Sequence, residues 1–410
     1  MKTKCGALLL ATVLLLPIMG LAWPSYSVIH YFALTEPAGP EFNLVIDPSG
    51  AIYGVVSGKA GSPCDSGAAY RLGPFGSFSI LQIFCDTGRQ AYNGPQAGLV
   101  RDAAGNLYGT LYSAGALGGG VVFEITVSHA LKILHVFGKD QAPGGAFPNT
   151  RLTLDAAGNL YGTTLSGGDL SAPCLGPPAG CGVVFELEKS STIPWTFKVL
   201  YSFAETLQRP RTEVIFDASG NLFGVAENTV YELQSPSWSF SVIGTFSTGV
   251  GDGIYPNPGL VFRGKDLYLI APSTLEPGGG CGGMFHLTPT TSGEWNKVVD
   301  YLFPGTFGGD NPEGCSLGPG PTFDSKGNAY GVALYGGNTE GNGAGTVWKL
   351  TPGVGGTWTE TTLHQFSSGT GVAPRGAVIF DKAGRLVGTA SQTSLTNPTG
   401  GGVVYRISNP

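Results

Sequence analysis

The sequence has 410 residues, of which 67 are glycine, 29 are proline and only 12% are charged, about half the usual charged fraction. So little Glu, Lys and Arg excludes coiled coils and long solvated helices, whose outer faces need those residues. A hydrophobic fraction of 42% excludes a disordered chain, because it is enough to form a buried core. Turn-forming and apolar residues with little charge predict short strands joined by many turns.

The first predicted element is an export signal over residues 1–22. Two lysines precede an apolar run that ends at Leu16, and small residues up to Ala22 form a cleavage site. Cleavage near Ala22 predicts a secreted, extracellular or periplasmic protein of net charge −8, with 20 Lys and Arg against 28 Asp and Glu. Such an acidic chain lacks the basic footprint needed for nucleic acid or anionic membranes, and no later stretch is long enough to span a bilayer.

Residues 23–410 repeat one pattern seven times, which predicts a single domain without an internal boundary. The clearest segment is Asp-x-x-Gly-Asn-Leu-Tyr-Gly, found as DAAGNLYG at 102–109 and again at 155–162. Two further segments recur with it, an aromatic residue in Gly-Val-Val-Phe-Glu-Leu and a closing phenylalanine. The first positions of the seven units, 45 to 62 residues apart, are 47, 102, 155, 217, 262, 324 and 381.

Each unit is predicted to form four short strands, named a to d. Strand a ends near the aspartate, and Asp-x-x-Gly forms a hairpin turn in which the aspartate accepts backbone N–H bonds and the glycine adopts positive φ. Strand b is NLYGT, strand c is GVVFEL, and strand d ends at the phenylalanine. Because a repeated four-stranded apolar sheet must cover both faces, the pattern predicts an all-β fold, a seven-bladed β-propeller of four-stranded antiparallel blades.

The two ends of the chain predict how the ring closes. Only five residues follow Tyr405, the strand c aromatic of the seventh unit, so that unit has no strand d of its own. The first strand after the signal, YSVIHYF at 26–32, has no unit before it. We therefore expect the N-terminal strand to pair with the last blade beside residues 401–407, which removes the exposed edges of an open sheet.

These segments resemble exported bacterial proteins built from tandem GloVer repeats, the choice-of-anchor tandem repeat GloVer-containing proteins. The matching segments are DAAGNLYGTT (155–164), SGG (166–168) and GVVFEL (182–187), and the likeness spans residues 26–408. The resemblance implies export and a repeat fold, but no settled activity. Such proteins often have varied C-terminal anchors. This sequence stops at Pro410 without one, which points to free release.

Six cysteines remain after the signal, and an even number in an exported protein favours disulfides, although six thiols allow 15 pairings. In a four-stranded blade the b–c and d–a connections share one face, here called the loop face, while the a–b and c–d connections share the other, the turn face. This topology favours Cys64–Cys85 and Cys281–Cys315 as bridges between loop-face connections. The pair Cys174–Cys181 would close a hairpin within the longest b–c loop.

The d–a connections also supply the candidate ligand-binding residues. Six of the seven units have an acid there, on the face where loops are longest. One interpretation is an acidic rim around the channel mouth that binds Ca²⁺ or a cationic or hydroxyl-rich ligand; the other is a set of solvated loop carboxylates, since their spacing from strand d varies. The six residues are Glu36, Asp86, Asp140, Glu205, Asp252 and Asp310.

Histidine and tryptophan recur at fixed positions of the unit, which favours structural roles. His30, His135 and His364 lie two residues before the closing phenylalanine of strand d. Four tryptophans lie eight residues before it, where packing of the c–d hairpin explains them better than stacking on sugar rings. His286 occupies a strand c position that holds charged residues of mixed sign elsewhere, typical of a solvated or paired strand end.

The sequence therefore predicts a secreted, monomeric, non-enzymatic binding module for an extracellular glycan or protein, acting through the loop face. It predicts no nucleic-acid partner, no catalytic residue, no resident metal and no cofactor, with Ca²⁺ as the one candidate. The alternative is a propeller enzyme, such as a polysaccharide lyase, glycosidase or lactonase, at the channel mouth. Such an enzyme needs non-repeated acids or bases that converge, and the units that depart from the repeat lie around Glu227 and Asn228 and around Arg263 and Asp266. A purely structural envelope protein is the third alternative.

Overall fold

A computed structural model shows seven four-stranded antiparallel sheets arranged as the blades of a β-propeller. It describes residues 24–33, 36–58, 67–84, 94–138, 143–171, 174, 180–191, 195–204, 209–246, 253–254, 259–274, 280–305, 311–337, 343–393 and 401–410. Blades are numbered here by the order of their aspartate positions, from blade 1 at residue 47 to blade 7 at residue 381.

The strands of the first four blades, preceded by the N-terminal strand, are β1 (Ser25–Tyr31), β2 (Val45–Ile46), β3 (Ile52–Val56), β4 (Ala68–Leu72), β5 (Phe78–Ile83), β6 (Val100–Arg101), β7 (Leu107–Leu111), β8 (Gly118–Ile125), β9 (Leu131–Gly138), β10 (Thr153–Leu154), β11 (Leu160–Thr163), β12 (Val183–Glu188), β13 (Thr196–Ser202), β14 (Ile215–Phe216), β15 (Leu222–Ala226), β16 (Thr229–Gln234) and β17 (Ser239–Thr245).

The strands of the last three blades and of a small additional sheet are β18 (Gly253–Ile254), β19 (Val261–Arg263), β20 (Asp266–Ala271), β21 (Ser273–Thr274), β22 (Gly283–Pro289), β23 (Trp295–Leu302), β24 (Cys315–Leu317), β25 (Thr322–Phe323), β26 (Ala329–Tyr335), β27 (Thr346–Pro352), β28 (Trp358–Gln365), β29 (Ile379–Phe380), β30 (Leu386–Ala390) and β31 (Val403–Ser408). One 3-10 turn, Val354–Gly356, joins β27 to β28.

The strand order in every blade is a, b, c, d, as the repeat predicts. The innermost strands are the shortest, with two residues in most blades and three in blade 5. The residues just before them contact the neighbouring blade and do not extend the sheet. A Cβ at Gly98 would collide with the backbone carbonyl of Asn43, and one at Gly320 with that of Gly259. Glycine is therefore required where the blades approach most closely.

The ring closes as expected, with three strands from the C-terminal end and one from the N-terminal end in blade 7. Strand β1 pairs antiparallel with β31, with Ser25 opposite Ser408 and Tyr31 opposite Val403. The Phe32 amide extends this pairing by donating to the Gly402 carbonyl at 3.1 Å. The N-terminal strand is therefore the outer strand of blade 7, and the last blade is complete.

The core is divided among the seven interfaces between blades. Each buried cluster combines residues of two successive blades, and the one around Tyr70 and Val387 joins blade 7 to blade 1. The strand c aromatics at its centre, such as Phe123, Phe185 and Trp348, are completely buried. Apolar burial contributes roughly 25 cal/mol per Å², so stability comes from many equivalent interfaces rather than from one central core.

The aspartate of the repeat organises the a–b turn as the sequence predicts. In blade 3 the Asp155 carboxylate accepts the Asn159 backbone N–H at 2.8 Å and the Asn159 side-chain amide at 2.8 Å. The Tyr161 hydroxyl donates to the same carboxylate at 3.3 Å. Blade 5 has Phe262 in place of the aspartate and still forms the turn, between Arg263 and Asp266. One turn without this network is thus compatible with the ring.

Candidate functional site

Five of the six predicted rim acids, Asp86, Asp140, Glu205, Asp252 and Asp310, lie outside the described residues. The sixth, Glu36, follows the strand that completes blade 7. Its carboxylate accepts the Ala33 backbone N–H at 2.9 Å and lies 3.3 Å from His30 Nε2. Glu36 therefore makes contacts within its own connection, and the acidic rim stays a prediction.

Two of the three expected disulfides are present on the loop face. Cys281, just before strand c of blade 5, is bonded to Cys315, which lies before the inner strand of blade 6, with Cα atoms 4.3 Å apart. Cys174 is bonded to Cys181, with Cα atoms 5.4 Å apart. The third expected pair, Cys64–Cys85, lies outside the described residues. Disulfides of this kind are typical of oxidising compartments.

A polar pocket of about 230 Å³, here called the mouth pocket, opens where the d–a connections enter the inner strands. Since those connections enter from the loop face, the pocket lies at the loop-face end of the central channel. It receives residues from blades 1, 2, 3, 4, 6 and 7. Its polar lining residues are Glu41, Asn43, Gln96, Asn149, Thr150, Arg151, Glu213 and Arg375.

Arg151 and Glu213, from blades 3 and 4, are the deeper charged residues of the mouth pocket, and each influences the charge of the other. Glu213 is buried, with 8% of its surface exposed, and its burial raises the pKa of the carboxyl, while the charge of Arg151 opposes that rise. Burial also lowers the pKa of the Arg151 guanidinium, against the attraction of Glu213. Arg151 Nε donates to the Leu99 carbonyl of blade 2 at 3.1 Å, which fixes the side chain toward the channel.

Glu41 and Arg375, from blades 1 and 7, form a second and more exposed pair. Arg375 Nε lies 3.9 Å from Glu41 Oε1, and about half of the Arg375 side chain and a third of that of Glu41 are exposed. Burial raises the pKa of Glu41, and Arg375 lowers it in part. Between the pairs, Asn43 accepts the Ala377 backbone N–H at 2.9 Å. The Oδ1 atom of Asn149 is buried and has no hydrogen-bond partner among the described residues.

Sequence reasoning missed these four charged residues, and aligning the units shows the signal that would have revealed them. Arg151 and Glu213 stand four residues before their aspartates, where the other units have asparagine, glycine, alanine or proline. Glu41 and Arg375 stand six residues before theirs. The two irregular units that the sequence analysis named as possible enzyme sites make local contacts. Glu227 pairs with Arg211 at 3.3 Å, and Asp266 accepts a hydrogen bond from the Thr288 hydroxyl at 2.5 Å.

Below the mouth pocket a cavity of about 400 Å³ continues along the inner strands and shares Asn43, Arg151 and Glu213 with the pocket. Its deeper lining combines Thr153 and Thr322 with apolar side chains of blades 1 to 5 and 7, namely Leu44, Val100, Leu154, Ile215, Val261 and Ile379. The charged side chains that could orient a ligand are therefore at the loop-face end.

The histidines of strand d stack on aromatic rings of the following blade. His135 lies over Phe197 with ring centroids 4.1 Å apart and an interplanar angle of 8°. His30 stacks in the same way on Phe78 at 4.4 Å. Desolvation lowers the pKa of His135 to about 4. These contacts place the strand d histidines in the packing between blades, the structural role that their repetition favoured.

His286 forms a pair with Asp300 that has the geometry of a catalytic acid–base pair. The Nδ1 atom lies 2.8 Å from Asp300 Oδ2, and this hydrogen bond raises the pKa of His286. The second oxygen, Asp300 Oδ1, accepts the Trp358 indole N–H of blade 6 at 3.0 Å. One carboxylate oxygen thus bonds within blade 5 and the other joins blade 5 to blade 6, so the arrangement is that of a structural pair. Trp358 thus has the packing position predicted for the repeated tryptophans.

Within the described ranges, no group of three or more His, Cys, Asp or Glu side chains is placed to hold a metal ion. The predicted Ca²⁺ site depends mainly on rim acids that lie outside those ranges, so it stays a prediction. Among the same residues, no helix has the length and apolar character needed to cross a membrane.

The Gloeobacter/Verrucomicrobia repeat matches residues 39–268, which is more than half of the chain. The match extends from the connection before the inner strand of blade 1 to strand b of blade 5, and so includes three of the four charged residues of the mouth pocket. No curated protein matches the sequence.

Several solved structures share the fold at low sequence identity. The extracellular domain of BT4673 from B. thetaiotaomicron, assigned as a hybrid two component system, has a TM-score of 0.56 at 10% identity, over 93% of this chain and 40% of that one. The extracellular domain of BT3049 from the same organism has a TM-score of 0.54 at 12% identity, over 94% and 41%. YCF48 from Cyanidioschyzon merolae has a TM-score of 0.55 at 11% identity, over 93% and 98%. This chain thus spans about two fifths of each B. thetaiotaomicron structure, and these likenesses show the fold alone.

Proposed function

Because the chain belongs to the Gloeobacter/Verrucomicrobia repeat family and forms a closed seven-bladed ring, we propose that it is an exported binding protein that holds a polar, hydroxyl-rich ligand in its mouth pocket. The ligand class proposed is a glycan or the end of a glycan chain. The two disulfides support export, since they form and persist in oxidising environments.

The observation that carries this proposal is the convergence of non-repeated polar side chains on one pocket. Residues that serve only the repeat recur in most blades, as the aspartate and the strand c aromatic do. Arg151, Glu213 and Glu41 do not recur, and Arg375 has one counterpart, Arg211, which pairs with Glu227 instead. Six blades nevertheless bring the four charged residues and three amides to the same opening. A concave pocket with a few convergent polar groups is the usual form of a small-ligand site.

The charges of the mouth pocket favour a neutral ligand. Two carboxyls and two guanidiniums balance each other, so a ligand of either sign would displace a partner of its own sign. The rim offers both donors and acceptors: Gln96 is exposed, and the buried Asn149 oxygen has no partner among the described residues. A sugar ring offers hydroxyl groups that both donate and accept, and a volume of about 230 Å³ suits one or two sugar units.

Thermal-shift screening of the purified protein against a panel of neutral and charged oligosaccharides tests this proposal. We expect a neutral glycan to raise the melting temperature, and Gln96→Ala and Arg375→Gln to weaken its binding about tenfold each, because each substitution removes direct hydrogen bonds. Both side chains are exposed, so the variants should fold. Lys189→Gln, an exposed change on the turn face, is the matched control and should bind as the unmodified protein does. Equal binding by all variants would show that the ligand lies elsewhere.

A second candidate, a propeller enzyme acting on carbohydrates or lactones, is supported by one observation. Glu41 and Glu213 line the same pocket, and burial raises the pKa of both carboxyls, as in groups that act as general acids. Glu41 is the accessible one, with about a third of its side chain exposed. If this second candidate is right, the protein should convert a substrate from the oligosaccharide panel, or a lactone added to it, into product. Glu41→Gln should then abolish this reaction and leave binding unchanged. Binding without turnover retains the first proposal.

A further inference from the structure

One position of strand c, directly after the buried aromatic, has a charged residue or histidine in every blade, and its sign follows the order of the blades around the ring. Three acids stand in blades 2, 3 and 4, a histidine in blade 5, and three bases in blades 6, 7 and 1. In blade order from 1 to 7 the residues are Arg71, Glu124, Glu186, Glu232, His286, Lys349 and Arg406. The mixed signs seen along the sequence are therefore two separate arcs in space.

The a–b turns show a similar division, shifted by one blade, so that the two sets of basic residues overlap in blades 6 and 7. Exposed lysines stand at the turns of blades 5, 6 and 7, namely Lys265, Lys326 and Lys382, whereas the central turn residues of blades 1 to 4 are uncharged. The strand c bases lie beside these turns: Arg406 Nε is 3.5 Å from Asp381, and Lys349 lies over the Tyr330 ring at 5.5 Å. The turn aspartates accept backbone N–H bonds of their own turns, as Asp381 does from Arg385 at 3.0 Å.

Two fully exposed apolar side chains stand on the same arc. Phe75 is at the tip of the c–d hairpin of blade 1 and Val354 at that of blade 6, with relative exposures of 101% and 97%. The tip of blade 2, in the acidic arc, has the less exposed Val127, at 64%. Isolated exposed apolar residues are ordinary, but apolar tips beside clustered Lys and Arg are typical of surfaces that lie on a bilayer.

Blade 7, between these two tips, has no c–d hairpin because its strand d is the N-terminal strand. The described chain enters the ring there, with Ser25 opposite Ser408 at the turn-face end of the sheet and with the Ile29 carbonyl near Gly76 of the blade 1 hairpin. The N-terminal strand therefore begins at this part of the turn face, between the two apolar tips.

We propose that the turn face of blades 6, 7 and 1 is a docking surface for an anionic membrane, with the Phe75 and Val354 side chains entering the headgroup region. This surface is opposite the mouth pocket, which leaves the loop face open to solvent. The acidic arc of blades 2 to 4 tilts away from the lipid. The net charge of −6 gives no sign of this surface, because it sums the charges of the whole chain, including both arcs. A soluble polyanion would leave both apolar tips in water, whereas the headgroup region of a bilayer buries them.

Vesicle co-sedimentation at low salt tests the proposal, with the chain from residue 24 onward, which keeps all seven blades and lacks the apolar run. We expect binding to phosphatidylglycerol–phosphatidylcholine vesicles and much weaker binding to phosphatidylcholine alone. One lysine near an anionic surface contributes about fivefold to partitioning, so Lys326→Gln/Lys382→Gln should reduce it about 25-fold. Phe75→Ser should reduce it by a further several-fold.

Lys132→Gln/Lys198→Gln is the matched control, since it changes net charge equally within the acidic arc, and Val127→Ser is the control for the hairpin tip. Both should bind as the unmodified protein does. Equal losses in the two double variants would mean that only net charge matters and would overturn the proposal. Absence of vesicle binding, or equal binding to neutral vesicles, would also overturn it. If sedimentation velocity shows a dimer that the basic-arc variant dissociates, the occupant is a second copy rather than lipid.

Discussion

The imidazole of His364 in blade 6 lies flat on the ring of Tyr26 in the N-terminal strand, with centroids 3.7 Å apart and an interplanar angle of 6°. Tyr26 also packs edge-on against Phe366 at 6.0 Å, and its hydroxyl donates to the Thr370 carbonyl. The strand that completes blade 7 is therefore held by two neighbours, β31 in its own sheet and the outer strand of blade 6. Ring closure depends on both.

We predict that Tyr26→Ala lowers the free energy of unfolding by about 3 kcal/mol, because it removes this stack and leaves a cavity between blades 6 and 7. Tyr31→Ala, on the same strand, is the matched control. The Tyr31 side chain is 54% exposed, so its loss should cost less than about 1 kcal/mol. Urea denaturation measures both values. Equal effects at the two positions would contradict the closure described here.

We predict that the protein loses stability as the pH falls from about 6.5 to about 4. Desolvation lowers the pKa of both His135 and His364 to about 4, so the unfolded chain takes up protons first and unfolding becomes more favourable over that range. The contribution is fully present above the unfolded pKa and is lost on acidification. At 1.36 kcal/mol per pKa unit, a fall from 6.5 to about 4 gives an upper limit of about 3 kcal/mol for each histidine, and solvent screening at these partly exposed rings lowers it. Melting temperatures measured from pH 7.5 to 4 give the profile.

The control for the pH profile is the variant His135→Gln/His364→Gln. It should be less stable at pH 7.5 and should fall less steeply below pH 6.5. The difference between the two profiles gives the contribution of the histidines alone. Other groups change stability in the opposite direction over this pH range, such as Glu360, whose pKa burial raises to about 7. Parallel profiles would show that these histidines do not govern the acid sensitivity.

We predict that Arg151 and Glu213 are energetically coupled. Arg151→Met leaves the buried Glu213 carboxyl without its counter-charge, and Glu213→Leu leaves the guanidinium without its own, so each should cost about 3 kcal/mol. The double variant should cost less than the sum by at least about 1.5 kcal/mol. Additive losses in urea denaturation would mean that the two charges act independently.

We predict unequal stabilisation by the two disulfides. The chain-entropy relation gives about 4 kcal/mol for Cys281–Cys315, with its separation of 34 residues, and about 2 kcal/mol for Cys174–Cys181, with a separation of 7. Double alanine variants of each pair, compared by urea denaturation, measure the difference. The first bridge also joins blades 5 and 6, so its loss should accelerate unfolding more than loss of the second. The reverse order would contradict the loop-closure interpretation.

The sequence contained enough information for the fold because the repeat marks local structure. Asp-x-x-Gly specifies a turn, the strand c aromatic specifies a buried position, and the missing strand after Tyr405 specifies closure. The mouth pocket was harder to predict, since Arg151 and Glu213 are 62 residues apart and each resembles a solvated loop charge by itself. Only the ring places them together. The two charge arcs on the turn face were hidden for the same reason, because their order appears only when the blades are counted around the circle.

Blade 7 has both chain ends in adjacent paired strands, at one end of one sheet. A short linker from Pro410 to residue 24 would therefore turn that blade into an ordinary hairpin-connected one. The ring could then be cut at another c–d connection, such as the one at Val354–Gly356, without separating a strand from its sheet. A circularly permuted chain of this kind should reach the same structure, since every c–d connection is an equivalent place for the polypeptide to begin.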